Sequence, residues 1–141
     1  MSTILHSYRH CVYKINLHIV FVTKYRRKVI NSDMLSRLKD IFSHLCQNQK
    51  SELLEFGGEL DHVHLLIDFS PDVAPSKLVN TLKTISSRMI RKEFAEHINK
   101  LHINKFYWKP VFWTGAYCVI SAGGAPLEVL KQYIQNQEEP E

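Results

Sequence analysis

Apolar residues at every second position predict a β-strand near the start of the chain. Ile15, Leu17, Ile19 and Phe21 follow this spacing, and a repeat of two residues places all four side chains on one face of an extended strand. The strand is predicted to end at Lys24. One face of this strand must therefore pack against a core.

Three later segments carry the three- and four-residue spacing of amphipathic helices. The first runs from about Asp33 to Gln49, the second from about Ser76 to Glu96, and the third from Pro126 to about Gln137. Proline suits the first turn of a helix, because the N–H that it lacks has no partner there in any case. The apolar stripe of each segment predicts a helix packed against the rest of the domain.

Further strands are predicted between and after the first two helices. Residues 51–60 contain Gly57 and Gly58, a bulge or turn, and His62 to Phe69 follow at once, so the two segments should pair as a hairpin. Tyr117 to Ser121 form a last strand. The order β-α-β-β-α-β-α predicts an α+β fold of ferredoxin or RRM type, with an antiparallel sheet, helices on one face and an added C-terminal helix.

The composition fits one domain, which we expect to span residues 1–141, with 45% hydrophobic and 23% charged residues. Its three cysteines are odd in number and show no Cys-x-x-Cys spacing, which argues against a disulfide framework and a zinc ribbon. The longest strongly apolar run, Ile19 to Val22, is too short to span a membrane, and no leader pattern opens the chain. A soluble cytoplasmic protein is expected.

Basic charge is concentrated outside the C-terminal tail. The net charge is +4, but residues 1–137 contain 18 basic and 11 acidic residues and carry +7, because Glu138, Glu139 and Glu141 lie beyond them. A basic body suits a polyanion such as nucleic acid. Solubility alone would account for the charge about equally well.

His62 and His64 form the sharpest local pattern in the sequence. Residues two apart in a strand share a face, so both imidazoles should project together, opposite the core face that carries Val63. Two convergent imidazoles make half of a transition-metal site, and Asp61 is a candidate to orient one ring through its second nitrogen. A chance pair of surface histidines is the alternative.

Tyr133 and Gln137 are four residues apart in the last predicted helix and should lie on one face of it. A phenol and an amide oxygen there could act as nucleophile and metal ligand, although a half-buried tyrosine that anchors the helix would look the same. The sequence contains no Gly-rich phosphate loop, no Gly-x-Ser-x-Gly elbow and no carboxylate set for a two-metal nuclease.

Four segments together resemble the single-tyrosine HUH transposases, the TnpA type of short bacterial and archaeal insertion sequences. Residues 61–67 resemble the strand with the HUH motif, which is two histidines around a bulky apolar residue, and residues 131–137 resemble the tyrosine helix. Residues 18–27 and 112–124 resemble the family as well. The similarity extends from about residue 13 to 138.

This resemblance implies a site and a reaction. Tyr133 would be the nucleophile, and His62, His64 and Gln137 would bind Mg²⁺ or Mn²⁺. Cleavage of single-stranded DNA would leave a 5′-phosphotyrosine and a free 3′-OH, so that strands are rejoined without ATP. The family recognises hairpins near the element ends and acts as a homodimer, with the tyrosine helix of one chain at the histidines of the other.

The basic segments contain the candidate DNA contacts. The phosphate contacts expected are Lys24, Arg26, Arg27, Lys77, Arg88 and Arg91, and the stacking aromatics are Tyr25, Trp108 and Trp113. A solvated turn and an ordinary charged helix face are the alternatives for the cations, and core packing is the alternative for the aromatics.

Other functions remain open on the sequence alone. A non-catalytic RRM-like module that binds single-stranded nucleic acid would use Tyr133 only structurally. An HUH replication initiator or relaxase would also nick DNA, although such enzymes more often carry a third histidine and further domains. The short tail argues against longer, domesticated relatives that act on repetitive palindromes.

Overall fold

The fold is an antiparallel sheet with helices, seen in a computed structural model that describes residues 5–8, 11–101, 111–122 and 127–137. The strands are β1 (His6–Tyr8), β2 (Cys11–Tyr13), β3 (Asn16–Val22), β4 (Glu52–Gly58), β5 (His62–Asp68) and β6 (Cys118–Ser121). The helices are α1 (Ser32–Asn48), α2 (Pro75–Glu93), α3 (Ala95–Lys100) and α4 (Leu127–Gln135).

The main sheet has the strand order β4-β5-β3-β6, and every neighbouring pair is antiparallel. Its inner face carries the alternating apolar residues of β3 and β5, such as Phe21 and Leu65, which are buried in one core with residues of α1 and α2. The predicted α+β architecture, with helices over the apolar face, is therefore confirmed.

Local interactions account for the ends of the two long helices. The Asn31 side chain accepts a hydrogen bond of 2.8 Å from the Met34 amide and caps α1. Pro75 is the first residue of α2, one residue before the predicted start. Arg37 of α1 donates two hydrogen bonds, of 2.7 and 3.1 Å, to the carboxylate of Glu93 at the end of α2.

Two predicted details are wrong. Gly57 and Gly58 do not form a turn or bulge but lie in register within β4, and the irregularity of that strand falls between Leu53 and Glu55. The second helix ends at Glu93, and α3 follows after Phe94.

The outer face of the main sheet is the face of the two histidines. It carries His62, His64 and Asp68 of β5 beside Asn16, His18 and Val20 of β3. The β1–β2 hairpin, which the sequence did not predict, reaches this face through a contact between His6 and the buried Asp68. Among the described residues, no helix is long and apolar enough to cross a membrane.

Candidate active site

His62 and His64 project together from the outer face of β5, as predicted. Val63, between them, is fully buried in the core on the other face. The two imidazole centroids are 6.5 Å apart. The strand alternation alone thus creates a pair of neighbouring nitrogen ligands.

Asp61 fixes the orientation of the His62 ring. Its Oδ1 lies 2.9 Å from Nδ1 of His62, and the residue is only 8% exposed. A carboxylate can only accept a hydrogen bond, so Nδ1 carries the proton and donates it. In the neutral imidazole, Nε2 of His62 is then the unprotonated nitrogen, which is the one that can bind a metal ion.

The backbone around Asp61 is held by the end of β3. The amide and the hydroxyl of Thr23 donate to the Asp61 carbonyl oxygen at 2.9 and 3.1 Å. Nε of Arg26 lies 3.4 Å from the other carboxylate oxygen. Asp61 thus connects the β3 turn to the His62 ring.

The turn Lys24–Arg26 has an unusual backbone conformation. Tyr25 and Arg26 have φ of 59° and 54°, a left-handed conformation that is unusual for residues with a side chain. Arg26 faces Asp61, and Arg27 buries two guanidinium nitrogens. Both residues are partly buried and keep some exposed surface, and their role as phosphate contacts stays a prediction. Nζ of Lys24 lies 5.2 Å from the centre of the Tyr25 ring.

His64 lies over a glycine. Gly57 is its partner across the β4–β5 ladder, and a Cβ at Gly57 would lie 2.8 Å from both Cε1 and Nε2 of the imidazole. Although His64 has exposed surface, this contact removes water from one side of the ring. Burial, and then the neighbouring His62 and His18, lower the pKa of His64. The neutral, metal-binding form is thereby favoured.

Tyr133 and Gln137 are not among the residues that line the cavity at the two histidines. A cavity of about 330 Å³ lies between the histidines and α4, and its α4 side consists of Lys131, Ile134 and Gln135. The Tyr133 hydroxyl is buried near Cys118 and has no hydrogen-bond partner among the described residues. Burial, and then the nearby Cys118 thiol, raise the pKa of Tyr133.

The side-chain amide of Gln137 makes a hydrogen bond within the same segment. Its Nε2 donates a hydrogen bond of 3.2 Å to the Tyr133 carbonyl. Of the four predicted site residues, His62 and His64 line this cavity, and Tyr133 and Gln137 are joined by a hydrogen bond of their own.

The donor set at the histidines fits a divalent metal ion but is incomplete. His62 presents Nε2, and the lowered pKa of His64 keeps that ring neutral. Within the described parts of the chain, no three His, Cys, Asp or Glu side chains are grouped to hold a metal. Further ligands would have to come from an amide, a DNA phosphate or a second chain.

The other predicted DNA contacts lie away from the histidines. Lys77, Arg88 and Arg91 belong to α2, on the opposite side of the sheet. Trp113 is only 4% exposed, and its indole N–H donates a 2.9 Å hydrogen bond to the Ser86 hydroxyl, so its prediction as a stacking platform is wrong. Trp108, Gly123, Gly124 and Pro126 lie outside the described residues.

Sequence reasoning missed the role of Gly57. The available signal was the glycine inside a strand pattern, because such a glycine often marks a close approach of another group. The pair Gly57–Gly58 was instead interpreted as a turn.

Comparisons with known proteins agree on one family. The family model described as "Transposase IS200 like" matches residues 11–137. The ISDra2 transposase TnpA of Deinococcus radiodurans is 27% identical over 94% of this chain and 91% of the relative. The transposase of the insertion sequence IS200 from Salmonella typhimurium is 28% identical, over 98% of this chain and 84% of the relative.

Solved structures show the same similarity. A crystal structure assigned as a transposase from Deinococcus radiodurans superposes with a TM-score of 0.83 at 29% identity, covering 96% of this chain and 99% of that one. A tyrosine transposase solved with a REP hairpin has the same fold, with a TM-score of 0.55 at 10% identity and coverage of 92% and 68%. The chain belongs to the IS200-like transposase family and is a DNA-cleaving and strand-transferring enzyme.

Proposed function

We propose that this transposase cleaves and rejoins single-stranded DNA through a covalent 5′-phosphotyrosine on Tyr133, in a reaction that needs a divalent metal ion. The observation that carries the proposal is the pair His62 and His64, with the free nitrogen of His62 selected by the Asp61 hydrogen bond. Such pre-oriented neutral ligands suit a metal that acts on phosphate.

The metal ligands proposed are His62, His64 and Gln137, and the ion is Mg²⁺ or Mn²⁺. All three ligands are neutral, so a bound ion keeps its positive charge for the scissile phosphate and the leaving 3′-oxygen. Asp61 holds His62 in its tautomer, and the Gly57 backbone supports His64. Gln137 would bind the ion through Oε1, which the hydrogen bond from Nε2 to the Tyr133 carbonyl does not use.

Tyr133 supplies the nucleophile. Its oxygen forms a bond to phosphorus while the bond from phosphorus to the 3′-oxygen breaks, and the phenolic proton balances the charge of the 3′-OH released. The number of phosphoester bonds is unchanged, so the energy is retained for rejoining. A second 3′-OH then attacks the phosphotyrosine, and the phenol is regenerated.

The position of α4 supports a composite site in a homodimer. Within one chain the Tyr133 hydroxyl is buried, and other residues of α4 face the histidines. We propose that α4 of one chain docks at His62 and His64 of its partner, which gives two equivalent sites about a two-fold axis.

The DNA partner proposed is single-stranded DNA with hairpins near the element ends. One relative of the same fold was solved with a REP hairpin. In this chain, the candidates for phosphate contacts are Lys24, Arg26, Arg27, Lys77, Arg88 and Arg91.

The test is adduct formation with the two ends of the element, identified as imperfect palindromes in the genomic flanks. Wild-type protein with Mg²⁺ or Mn²⁺ should form a protein–DNA adduct that survives denaturing electrophoresis. Tyr133→Phe should bind the hairpins but form no adduct, and the control Tyr13→Phe, which keeps its ring beside His6, should react normally. Hairpin binding by wild type without any adduct would instead favour a non-catalytic binding module.

A further inference from the structure

A second group of potential metal ligands lies on the outer face of the sheet, at the other end of β5 from His62. Asp68 is the last residue of β5, and Asn16, the first residue of β3, is its ladder partner. Partners directly across a sheet have Cβ atoms about 4.5–5.5 Å apart, so these two side chains adjoin. His6 of the β1–β2 hairpin contacts the Asp68 carboxylate through Nε2. Three side chains with metal-binding atoms therefore meet around one carboxylate.

The polar atoms contributed by the sheet are buried and incompletely paired. Asp68 is 5% exposed and Asn16 is 8% exposed. Oδ1 of Asp68 and both polar atoms of the Asn16 side chain have no hydrogen-bond partner among the described residues. Unpaired buried polar groups destabilise a fold, and a native protein seldom retains them. Three such atoms at one place indicate that this group binds a polar ligand.

The chemistry of the group selects a cation. Asp68 carries a negative charge, and in the described part of the chain His6 is its only ionic partner. Two of the three side chains belong to the acidic and imidazole types, and the third donor is an amide oxygen. Oxygen ligands alone suit Mg²⁺ or Ca²⁺, whereas an imidazole nitrogen beside oxygen donors suits a divalent transition metal such as Zn²⁺.

This group is separate from the proposed catalytic metal site. His64 and Asp68 are four residues apart on β5, which corresponds to about 13 Å along a strand, and the buried Leu66 lies between them. One ion cannot bind both ends of this stretch, because ligand atoms lie about 2 Å from a bound metal. His6 also lies before residue 11, where the match to the transposase family begins.

We propose that His6, Asp68 and Asn16 form a structural site for a divalent transition metal ion such as Zn²⁺, which fastens the β1–β2 hairpin to the sheet. The ligands are Nε2 of His6, a carboxylate oxygen of Asp68 and Oδ1 of Asn16. A water completes a tetrahedral site and accepts a hydrogen bond from Nδ2 of Asn16.

Binding of this ion exchanges it for a proton. The Asp68 carboxylate can only accept a hydrogen bond, so Nε2 of His6 carries the proton in their direct contact. The ion takes the place of this proton between imidazole and carboxylate, and the proton is released to solvent. His6 has room for the small shift required, because 34% of its side chain is exposed.

The test counts zinc ions in a chain that lacks the proposed catalytic ligands. His62→Ala combined with His64→Ala removes that site, and isothermal titration calorimetry with Zn²⁺ measures the binding that remains. This double variant should bind one Zn²⁺ per chain and release a proton, so that the measured heat depends on the ionisation enthalpy of the buffer. Adding either His6→Ala or Asp68→Asn should remove the binding. His6 is partly exposed, so its variant decides the result if the buried Asp68→Asn fails to fold.

Two control variants exclude other zinc ligands. His44 is an exposed histidine of α1 whose ring contacts Asn48, and His44→Ala should leave Zn²⁺ binding unchanged. Cys11 is exposed on the hairpin, and Cys11→Ser should also leave it unchanged.

Hydrogen exchange locates the ion. In the double variant, free Zn²⁺ at about ten times its Kd should make detachment of the hairpin about tenfold rarer and slow amide exchange in β1 and β2 by the same factor. The effect should vanish with His6→Ala. Absence of Zn²⁺ binding, binding that survives both His6→Ala and Asp68→Asn, or unchanged exchange in the hairpin would each overturn the proposal.

Discussion

Gly57 lies directly across the sheet from His64, and any side chain on Gly57 would overlap the imidazole. A Cβ would be 2.8 Å from Nε2, which is closer than nonbonded atoms approach each other. The imidazole therefore occupies the volume that a side chain would take in β4. The absence of a Cβ at Gly57 therefore gives His64, a proposed metal ligand, the space in which its ring lies.

Gly57→Ala should displace the His64 ring and weaken metal binding. The expected loss of metal affinity is about 10- to 100-fold, as for the loss of other groups that support a metal ligand. Mn²⁺ affinity, measured by titration, checks this. Gly115→Ala is the matched control, because a Cβ there meets nothing within 4 Å. Equal Mn²⁺ affinity of the two variants would show that the Gly57 contact does not position His64.

Asp61→Asn should weaken metal binding through His62. The amide can donate as well as accept, so it no longer requires the proton on Nδ1, and the metal-binding tautomer is not selected. A loss of about 10- to 100-fold in metal affinity is expected. Nitrogen-15 NMR of the His62 ring should show a mixture of tautomers. A single, unchanged tautomer in the variant would refute the role of Asp61.

Tyr133→Phe should stabilise the chain when no DNA is bound. The hydroxyl is buried without a partner among the described residues, and such a group costs about 1–3 kcal/mol. The variant should therefore raise the free energy of unfolding by about 1 kcal/mol. Chemical denaturation measures it, with Tyr117→Phe as control. A destabilised Tyr133→Phe would mean that the hydroxyl has a partner.

The same residue predicts a pH dependence. The folded-state pKa of Tyr133 is raised above its ordinary value of 10.0, so the neutral phenol is favoured in the native state. The stabilisation that the neutral phenol gives the native state is complete below pH 10 and is lost as pH rises through the folded-state pKa. Wild type should lose more stability than Tyr133→Phe above about pH 10. Parallel pH profiles would contradict the shifted pKa.

The sequence predicted the parts that depend on periodicity. The two-residue repeat of β3 and the placement of His62 and His64 on one face both follow from strand geometry, and both are confirmed. The β1–β2 hairpin was missed because strands of three residues are too short to show a repeat.

Side-chain directions outside regular elements were not predictable. Arg26 turns towards Asp61 because two residues without glycine adopt a left-handed conformation, for which the sequence carries no marker. The residues that α4 presents to the cavity at the histidines depend on how the helix packs on the sheet, and no local pattern encodes that packing.

The proposed exchange of α4 between chains has a direct test by mixing inactive proteins. His64→Ala lacks a metal ligand, and Tyr133→Phe lacks the nucleophile, so each homodimer should be inactive. If α4 acts on the partner, a mixed dimer has one site with His64→Ala and Phe at position 133 and one site with both His64 and Tyr133 intact. Subunit exchange should therefore restore cleavage, up to about one quarter of the wild-type level for random mixing in equal amounts, because half of the dimers are mixed and each has one of two sites.

An arrangement within one chain gives the opposite result. Each chain of the mixed dimer would then carry one defect in its own site, and no cleavage would be recovered. Heterodimer formation is verified with differently tagged chains, and a mixture of His62→Ala with His64→Ala serves as the control, because both defects then affect the same half of the site and no intact site arises in either arrangement. Absence of recovered activity in verified heterodimers would refute the composite site and require the buried Tyr133 hydroxyl to become accessible at His62 and His64 of its own chain, because Tyr133 does not line their cavity in this structure.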